Sequence, residues 1–346
     1  MAEAKGTILV TGANGGLGST IAEQIASTPE FSVYHGLYAV RDATAAPALV
    51  AALGRAASSS HKHDIPSLDL TKLEDVRKVA ETINNHVAAH EIPPIRALIL
   101  NAGFQDFGKQ SWTDDGLETT FAANYLGHWM LTLLLLKSMD KKCGRIVVIG
   151  SQAHDPHDQK NDATGAFQEE RYKTIVSDAA GFKAIAKGTW SSAEEDASWV
   201  SGLRRYAAAK LFLIMMIHEL QRRLDRDDAL KNICVLGVDP GTMVTGLARL
   251  APWFIRVIVF RIVFPLILRF FPSSGLVRAT SGSASDVLDA ALSLESHGLF
   301  PRDLYLDGRN PIQTSAESRD AEKREMVWAE TAKLANLRED ETILGL

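Results

Sequence analysis

The chain has 346 residues, 46% of them hydrophobic and 23% charged, with a formal net charge of −5. This balance excludes a largely disordered chain, and 25 Gly with 12 Pro are too few for a collagenous or low-complexity one. With no basic excess, nucleic acid is not an expected partner. Cys143 and Cys234 form neither a disulfide framework nor a CxxC metal pair, which points to a reducing compartment. No charged segment followed by an apolar one opens the chain, so no cleaved signal peptide is expected.

In chain order, an apolar run at 7–10 predicts a first strand, followed by a Gly-rich turn and a helix over 19–27. Residues 36–40 read as a second strand, and 68–70 as the end of a third. Helical spacing follows over 73–87, a fourth strand over 95–100, a long helix over 116–138 and a fifth strand over 145–149. A further helix is expected over 206–224 and a sixth strand over 233–238. Strands apolar on both faces, alternating with helices, predict a single α/β domain over 1–346: a Rossmann-type, doubly wound parallel sheet with helices on both faces.

Two segments break this rhythm. Residues 152–201 are polar and weakly periodic, an insertion expected to form a lid or rim beside the site. Residues 243–282 form a variable cap region, and within it 250–272 are strongly apolar but carry Arg256, Arg261 and Arg269. The longest uncharged stretch there is seven residues and contains Pro265, whereas a spanning helix needs about 20 apolar residues. A hydrophobic pocket wall, a surface that dips into a bilayer, core packing and a homodimer contact all fit this segment. Residues 310–346 read as a helical extension. The expected location is the cytoplasm or the cytosolic face of a membrane.

The turn Thr11-Gly12-Ala13-Asn14-Gly15-Gly16-Leu17-Gly18 joins the first strand to the first helix. Missing side chains let backbone approach a pyrophosphate, and the helix N-terminus supplies N–H groups and a positive dipole. Arg41 follows the second strand, where an adenosine ribose should lie, and an Arg there suits a 2′-phosphate. Val40 precedes it, so the carboxylate expected for a bare 2′-hydroxyl is absent, with Asp42 one step later a weak competitor. NADP(H) is therefore favoured over NAD(H); a merely solvated Arg41 is the bland alternative.

Tyr206 and Lys210 are spaced i, i+4 and share a helix face. A free phenol titrates near pH 10, and a neighbouring ammonium favours its phenolate, so Tyr206 is a candidate proton exchanger. Ser151 ends the fifth strand, at the carboxyl edge where α/β sites form. Its context is not G-x-S-x-G, which argues against a hydrolase. Asn124, in the long helix, is placed to hold a proton-passing water through its amide. Tyr172 has no Lys at i+4 and is the poorer tyrosine. His61-Lys62-His63 and His154-x-x-His157 lack a third spaced ligand, so no metal is expected.

Together these motifs resemble the short-chain dehydrogenase/reductase family, in its retinol-dehydrogenase-like and protochlorophyllide-reductase-like subgroup. The resemblance covers residues 7 to about 250 well and the remainder loosely. Asp69-Leu70, Asn101-Ala102-Gly103, Asn124-Tyr125-Leu126-Gly127-His128 and Pro240-Gly241-Thr242-Met243-Val244-Thr245 match its further motifs. It implies a proton-transfer tetrad of Asn124, Ser151, Tyr206 and Lys210. It also implies cofactor contacts from Gly12, Asn14, Gly16, Leu17, Gly18, Arg41, Asp69, Leu70, Asn101, Gly103, Tyr206, Lys210, Gly241, Thr242 and Thr245. The separation of 55 positions between Ser151 and Tyr206 departs from simple members. The expected activity is NADP(H)-dependent hydride transfer between nicotinamide and a carbonyl or alcohol of a hydrophobic small molecule. A non-catalytic NADP(H) sensor and a membrane-surface scaffold are the alternatives.

Overall fold

A computed structural model describes residues 4–56, 61–243, 246–253, 257, 262–264, 266, 269 and 277–345. Its centre is an eight-stranded sheet in the order β3-β2-β1-β4-β5-β6-β7-β8. The strands are β1 (Thr7–Thr11), β2 (His35–Ala39), β3 (His63–Asp64), β4 (Ile95–Leu100), β5 (Arg145–Ile149), β6 (Cys234–Asp239), β7 (Leu304–Asp307) and β8 (Asn310–Pro311). All pairings are parallel except that of β7 with β8. The order reverses between β1 and β4, which opens a crevice at the carboxyl ends of those strands.

The apolar runs are buried on both faces because helices cover both. Ile8 and Val10 of β1 pack with α1 (Gly16–Ser27), α2 (Pro47–Arg55) and α7 (Thr280–Leu292). Leu9 points the other way, into a core with α3 (Leu73–Ala88), α4 (Gly127–Leu135), α6 (Trp199–Leu224) and α8 (Ala321–Ala335). This period-two division is what a doubly covered strand requires.

Several boundaries differ from expectation. The first helix starts at Gly16, three residues early. The third strand is His63–Asp64, with a single further bridge between Val40 and Ser67. Residues 68–70 lie beyond it, where Asp69 Oδ1 accepts the Thr71 N–H at 3.0 Å in a local turn that ends the extension. The long helix does not begin at Gly116, whose φ of +68° is left-handed. It begins at Thr119, because the Glu118 carboxylate caps the N–H groups of Thr120 and Phe121 at 3.0 and 2.8 Å. It then passes through a π-helical segment, Ala122–Leu126, before α4.

α6 starts at Trp199, with Ser198 Oγ accepting the Val200 N–H, so Tyr206 stands two turns inside it rather than at its start. The insertion before it is built into the fold. It carries α5 (Ala179–Ala186) and several short turns, and buries Tyr172, Ile175, Val176, Phe182 and Ile185. The Phe182 ring lies 5.7 Å from that of Phe121 and 5.4 Å from that of Phe212. Glu317, near the carboxyl terminus, accepts the N–H groups of Ile175 and Val176 at 3.0 and 2.9 Å.

The 310–346 region opens as strand β8 before turning helical. Of the apolar segment 250–272, most lies outside the described residues, and the bilayer and dimer expectations attached to it fall there. Among the described residues, no helix is long and apolar enough to cross a membrane.

Candidate active site

The crevice is a cleft of about 1870 Å³. Small-molecule pockets are roughly 300–1,000 Å³, so there is room for a dinucleotide and a second molecule. Gly12 has φ +65°, and a Cβ there would come 2.7 Å from Ala102 Cα. A Cβ on Gly18 would sit 2.8 Å from Asn101 Nδ2. Asn101 Nδ2 donates to the Thr11 carbonyl at 2.7 Å, sewing the loop after β4 to the Gly-rich turn. Gly16, Leu17 and Gly18 form the first turn of α1, whose N–H groups have no intrahelical partner, and all three line the cleft.

Asn14 lines it too, but its Oδ1 is engaged by the N–H groups of Ala48 and Leu49 at 2.9 and 3.1 Å. It shapes the turn by anchoring it to α2. Arg41, Asp69, Leu70, Asn101, Gly103, Gly241 and Thr242 also line the cleft. Thr245 lies outside the described residues.

Three of the four tetrad residues meet at the cleft: Ser151 from the end of β5, and Tyr206 and Lys210 from α6. The insertion between them in sequence does not keep them apart, because α6 runs back under the end of β5. Lys210 Nζ donates to the Ile149 carbonyl at 2.7 Å and stands 5.5 Å from the centre of the Tyr206 ring. Burial pushes its pKa down to about 8, against the pull of the Asp239 carboxylate.

The surroundings of the Tyr206 hydroxyl act on its pKa in both directions. Burial, and after it the Asp239 carboxylate, raise it above the ordinary 10, and only hydrogen bonding from Ser151 works the other way. Desolvation opposes a bare phenolate more strongly than a lysine bonded elsewhere favours it. Burial of the ring thus favours the protonated phenol of Tyr206.

Asn124 differs from expectation. It is fully buried, and its amide is consumed by the Phe104 backbone: Oδ1 accepts the N–H at 2.7 Å and Nδ2 donates to the carbonyl at 2.7 Å. Both ends of the amide thus bond the Phe104 backbone, and the residue fixes the loop after β4. Its own carbonyl accepts His128 Nδ1–H at 2.9 Å. His128 Nε2 then accepts from Thr11 Oγ1 at 2.9 Å, while Thr11 Oγ1 accepts the N–H groups of Asn101 and Ala102. This chain locks β1, the loop after β4 and the π-helical segment together.

Burial holds His128 neutral, with its pKa lowered from 6.5 to about 4. The unfolded chain binds a proton that the fold refuses, so this stability is whole above pH 6.5 and is lost as pH falls from 6.5 toward 4. Thermal melts across that window should steepen downward in the wild type and flatten in His128→Asn. Equal slopes would contradict the assignment.

One histidine of each sequence pair has its ring nitrogens hydrogen-bonded within the fold. His61 bonds Tyr38 Oη at 2.8 Å, and His154 bonds the Ser151 carbonyl at 2.7 Å and the Ser315 N–H at 3.1 Å. No group of three metal-ligating side chains occurs among the described residues.

Three features escaped sequence reasoning. Asp239 ends β6 inside the cleft, and its position just before Pro240-Gly241 was the available signal. Tyr305 of β7 fills the space that a Cβ at Gly150 would need. Arg205, immediately before Tyr206, is paired in a buried cluster with Asp106 and Glu118.

Residues 6–160 match the short chain dehydrogenase family model. Over 98% of both chains, this one is 40% identical to a short-chain dehydrogenase, iccH, of Talaromyces variabilis. It is 27% identical to the chloroplastic protochlorophyllide reductase of Daucus carota, over 96% of this chain and 79% of that one. The angucycline C-6 ketoreductase LanV, solved with bound NADP, shares the fold with a TM-score of 0.57 and 16% identity, over 91% of this chain and 96% of that one. The chain belongs to the short-chain dehydrogenase/reductase family, on the protochlorophyllide-reductase-like side, and is an oxidoreductase.

Proposed function

We propose that the protein is an NADPH-dependent reductase of a carbonyl group on an apolar small molecule. The observation that carries this reading is the meeting of Ser151, Tyr206 and Lys210 in a cleft opened by a Gly-rich turn, with Lys210 Nζ 5.5 Å from the centre of the Tyr206 ring. A phenol that is protonated at working pH is the form with a proton to give, and reduction is the direction that needs a donor.

The residues fit the dinucleotide. Gly12 and Gly18 leave space no other side chain could share, and Arg41 has no carboxylate partner among the described residues. One oxygen of the nearby Asp42 carboxylate, Oδ1, is turned away onto the Thr44 N–H and Oγ1 at 2.9 and 2.7 Å. The NADP bound by LanV is consistent with this preference. Bound NADPH supplies the hydride. Ser151 and Tyr206 hydrogen-bond the carbonyl oxygen, Tyr206 Oη gives it a proton, and Lys210 holds positive charge behind the phenol. Phe104, Phe107, Trp112, Leu117, Leu203 and Met243 line the remaining wall and suit an apolar substrate.

Arg41→Ala should weaken NADPH binding about 10- to 100-fold, the loss of one or two charge-assisted bonds, and leave NADH binding little changed. Fluorescence titration of both dinucleotides measures this; equal effects on both would remove Arg41 from the phosphate site. Turnover of NADPH with lipophilic ketones, aldehydes and quinones tests the whole reading. Tight NADPH binding with no turnover across the panel would favour the sensor alternative.

A further inference from the structure

Tyr305 is a buried phenol that the proton-transfer scheme has not used. It belongs to β7, is only 2% exposed, and lies opposite Gly237 of β6 in the parallel register. A Cβ on Gly237 would come 2.5 Å from its Cδ2 and 2.8 Å from its Cε2. A Cβ on Gly150 would come 2.7 Å from its Cε2 and Cζ, and closer still to its Oη. β6 lies between β5 and β7. Two missing side chains thus open a slot in which the ring crosses β6 and sets its hydroxyl against Gly150, the cleft-lining residue just before Ser151.

Ser151 is gripped from its other end as well. The His154 ring packs on that of Tyr305, with centroids 5.6 Å apart and planes at 66°. Its Nδ1–H donates to the Ser151 carbonyl at 2.7 Å, and its Nε2 accepts the Ser315 N–H at 3.1 Å. Ser151 Oγ accepts the Ala153 N–H at 3.2 Å, which leaves its own proton for donation. The Tyr305 hydroxyl makes no hydrogen bond of ordinary geometry among the described residues. Burying an unpaired hydroxyl costs stability, so for packing alone phenylalanine is the better residue. What the oxygen supplies is volume beneath Gly150.

We infer that Tyr305 is a positioning residue for Ser151: its phenol oxygen, packed against Gly150, sets how far the Ser151 hydroxyl stands into the cleft and so how well it meets the substrate oxygen. The inference rests on the reading of Ser151 as a hydrogen-bond donor to that oxygen. Without the Tyr305 oxygen, a gap opens beneath Gly150 into which the turn settles, and small displacements of a positioned group are costly in rate. Dinucleotide binding is spared, because the Gly-rich turn follows β1, and β4 lies between β1 and β5.

The test is a double-mutant cycle on the full chain, reading kcat with NADPH and the lipophilic ketone that the wild type reduces fastest, beside a dinucleotide titration and a thermal melt. Tyr305→Phe should lower kcat about tenfold with an unchanged Kd for NADPH. Its melting temperature should be no lower than that of the wild type, since only an unpaired hydroxyl is lost. In a Ser151→Ala background the same substitution should change kcat by less than about twofold, because a residue that acts through a hydroxyl has nothing to position once that hydroxyl is gone. An unchanged kcat in Tyr305→Phe overturns the inference. So does an equal loss in both backgrounds, which would make Tyr305 act independently of Ser151. Should Tyr305→Phe not fold, Gly150→Ala enters the same cycle, since its Cβ pushes on Tyr305 Oη. A loss confined to the background with Ser151 supports the proposal, and one that persists undiminished in Ser151→Ala overturns it. Either overturning result alongside an impaired Ser151→Ala enzyme refutes the role of Tyr305 alone; a fully active Ser151→Ala enzyme refutes the reading of Ser151 beneath it, and the inference with it.

Discussion

Tyr206→Phe should lower kcat for carbonyl reduction by about 10²- to 10⁴-fold while NADPH binding is retained, because the substitution removes one hydroxyl and keeps the ring. The ring is buried against Ala153, Ala166, Phe167 and Tyr172, so the variant keeps its packing and the loss reads as chemistry. Steady-state rates and a dinucleotide titration on the same preparation separate the two effects. Full activity in the variant would remove Tyr206 from the reaction and leave only the nucleotide-binding fold.

Asp106→Ala should cost about 3–5 kcal/mol of stability, the usual result of stranding a buried charge. Arg205 is 3% exposed, and its Nε and Nη2 pair with both Asp106 oxygens at 2.8 Å. Arg205 also donates to the Ser191 carbonyl in the insertion, and Asp106 Oδ1 accepts the Gly108 N–H at 2.7 Å. One ion pair thus joins the insertion, the loop after β4 and the first turns of α6. A Cβ on Gly202 would collide with Asp106 Oδ1, so α6 lies directly against this loop. Glu118, 4.0 Å from Arg205 Nε and with its own pKa pushed up to about 7 by burial, is a poor replacement counter-charge. A melting temperature lower by on the order of 10 °C is expected. An unchanged melt would show that Arg205 finds another partner.

The parts of this molecule legible in sequence are those whose physics is local. Strands β4 and β5 fall where their apolar runs end, because a doubly covered parallel strand is apolar throughout. The Gly-rich turn is legible because only glycine tolerates φ +65° with Ala102 packed against it. What failed depends on contacts between distant residues. Neither the start of the long helix at Thr119 nor that of α6 at Trp199 is signalled by hydrophobic period; each is set by a capping side chain, Glu118 and Ser198.

The surroundings of the tyrosine are another feature set by distant residues. The i, i+4 spacing of Tyr206 and Lys210 is visible in sequence, but the burial of both and the carboxylate from β6 are not. Asn124 shows the converse: it is named by its motif, but the bonds of its amide to the Phe104 backbone appear only in three dimensions. The insertion reads as polar and loose because its apolar residues, Ile175, Val176, Phe182 and Ile185, are too dispersed to show a period, yet they enter the main core.

The most direct measurement is the fate of deuterium from NADPH labelled at the transferable nicotinamide position, incubated with the wild-type chain and a panel of lipophilic ketones. Deuterium on the carbinol carbon of a product, at a rate that collapses in Tyr206→Phe, is the predicted result. No labelled alcohol from any ketone, with NADPH bound and the protein folded, would contradict it.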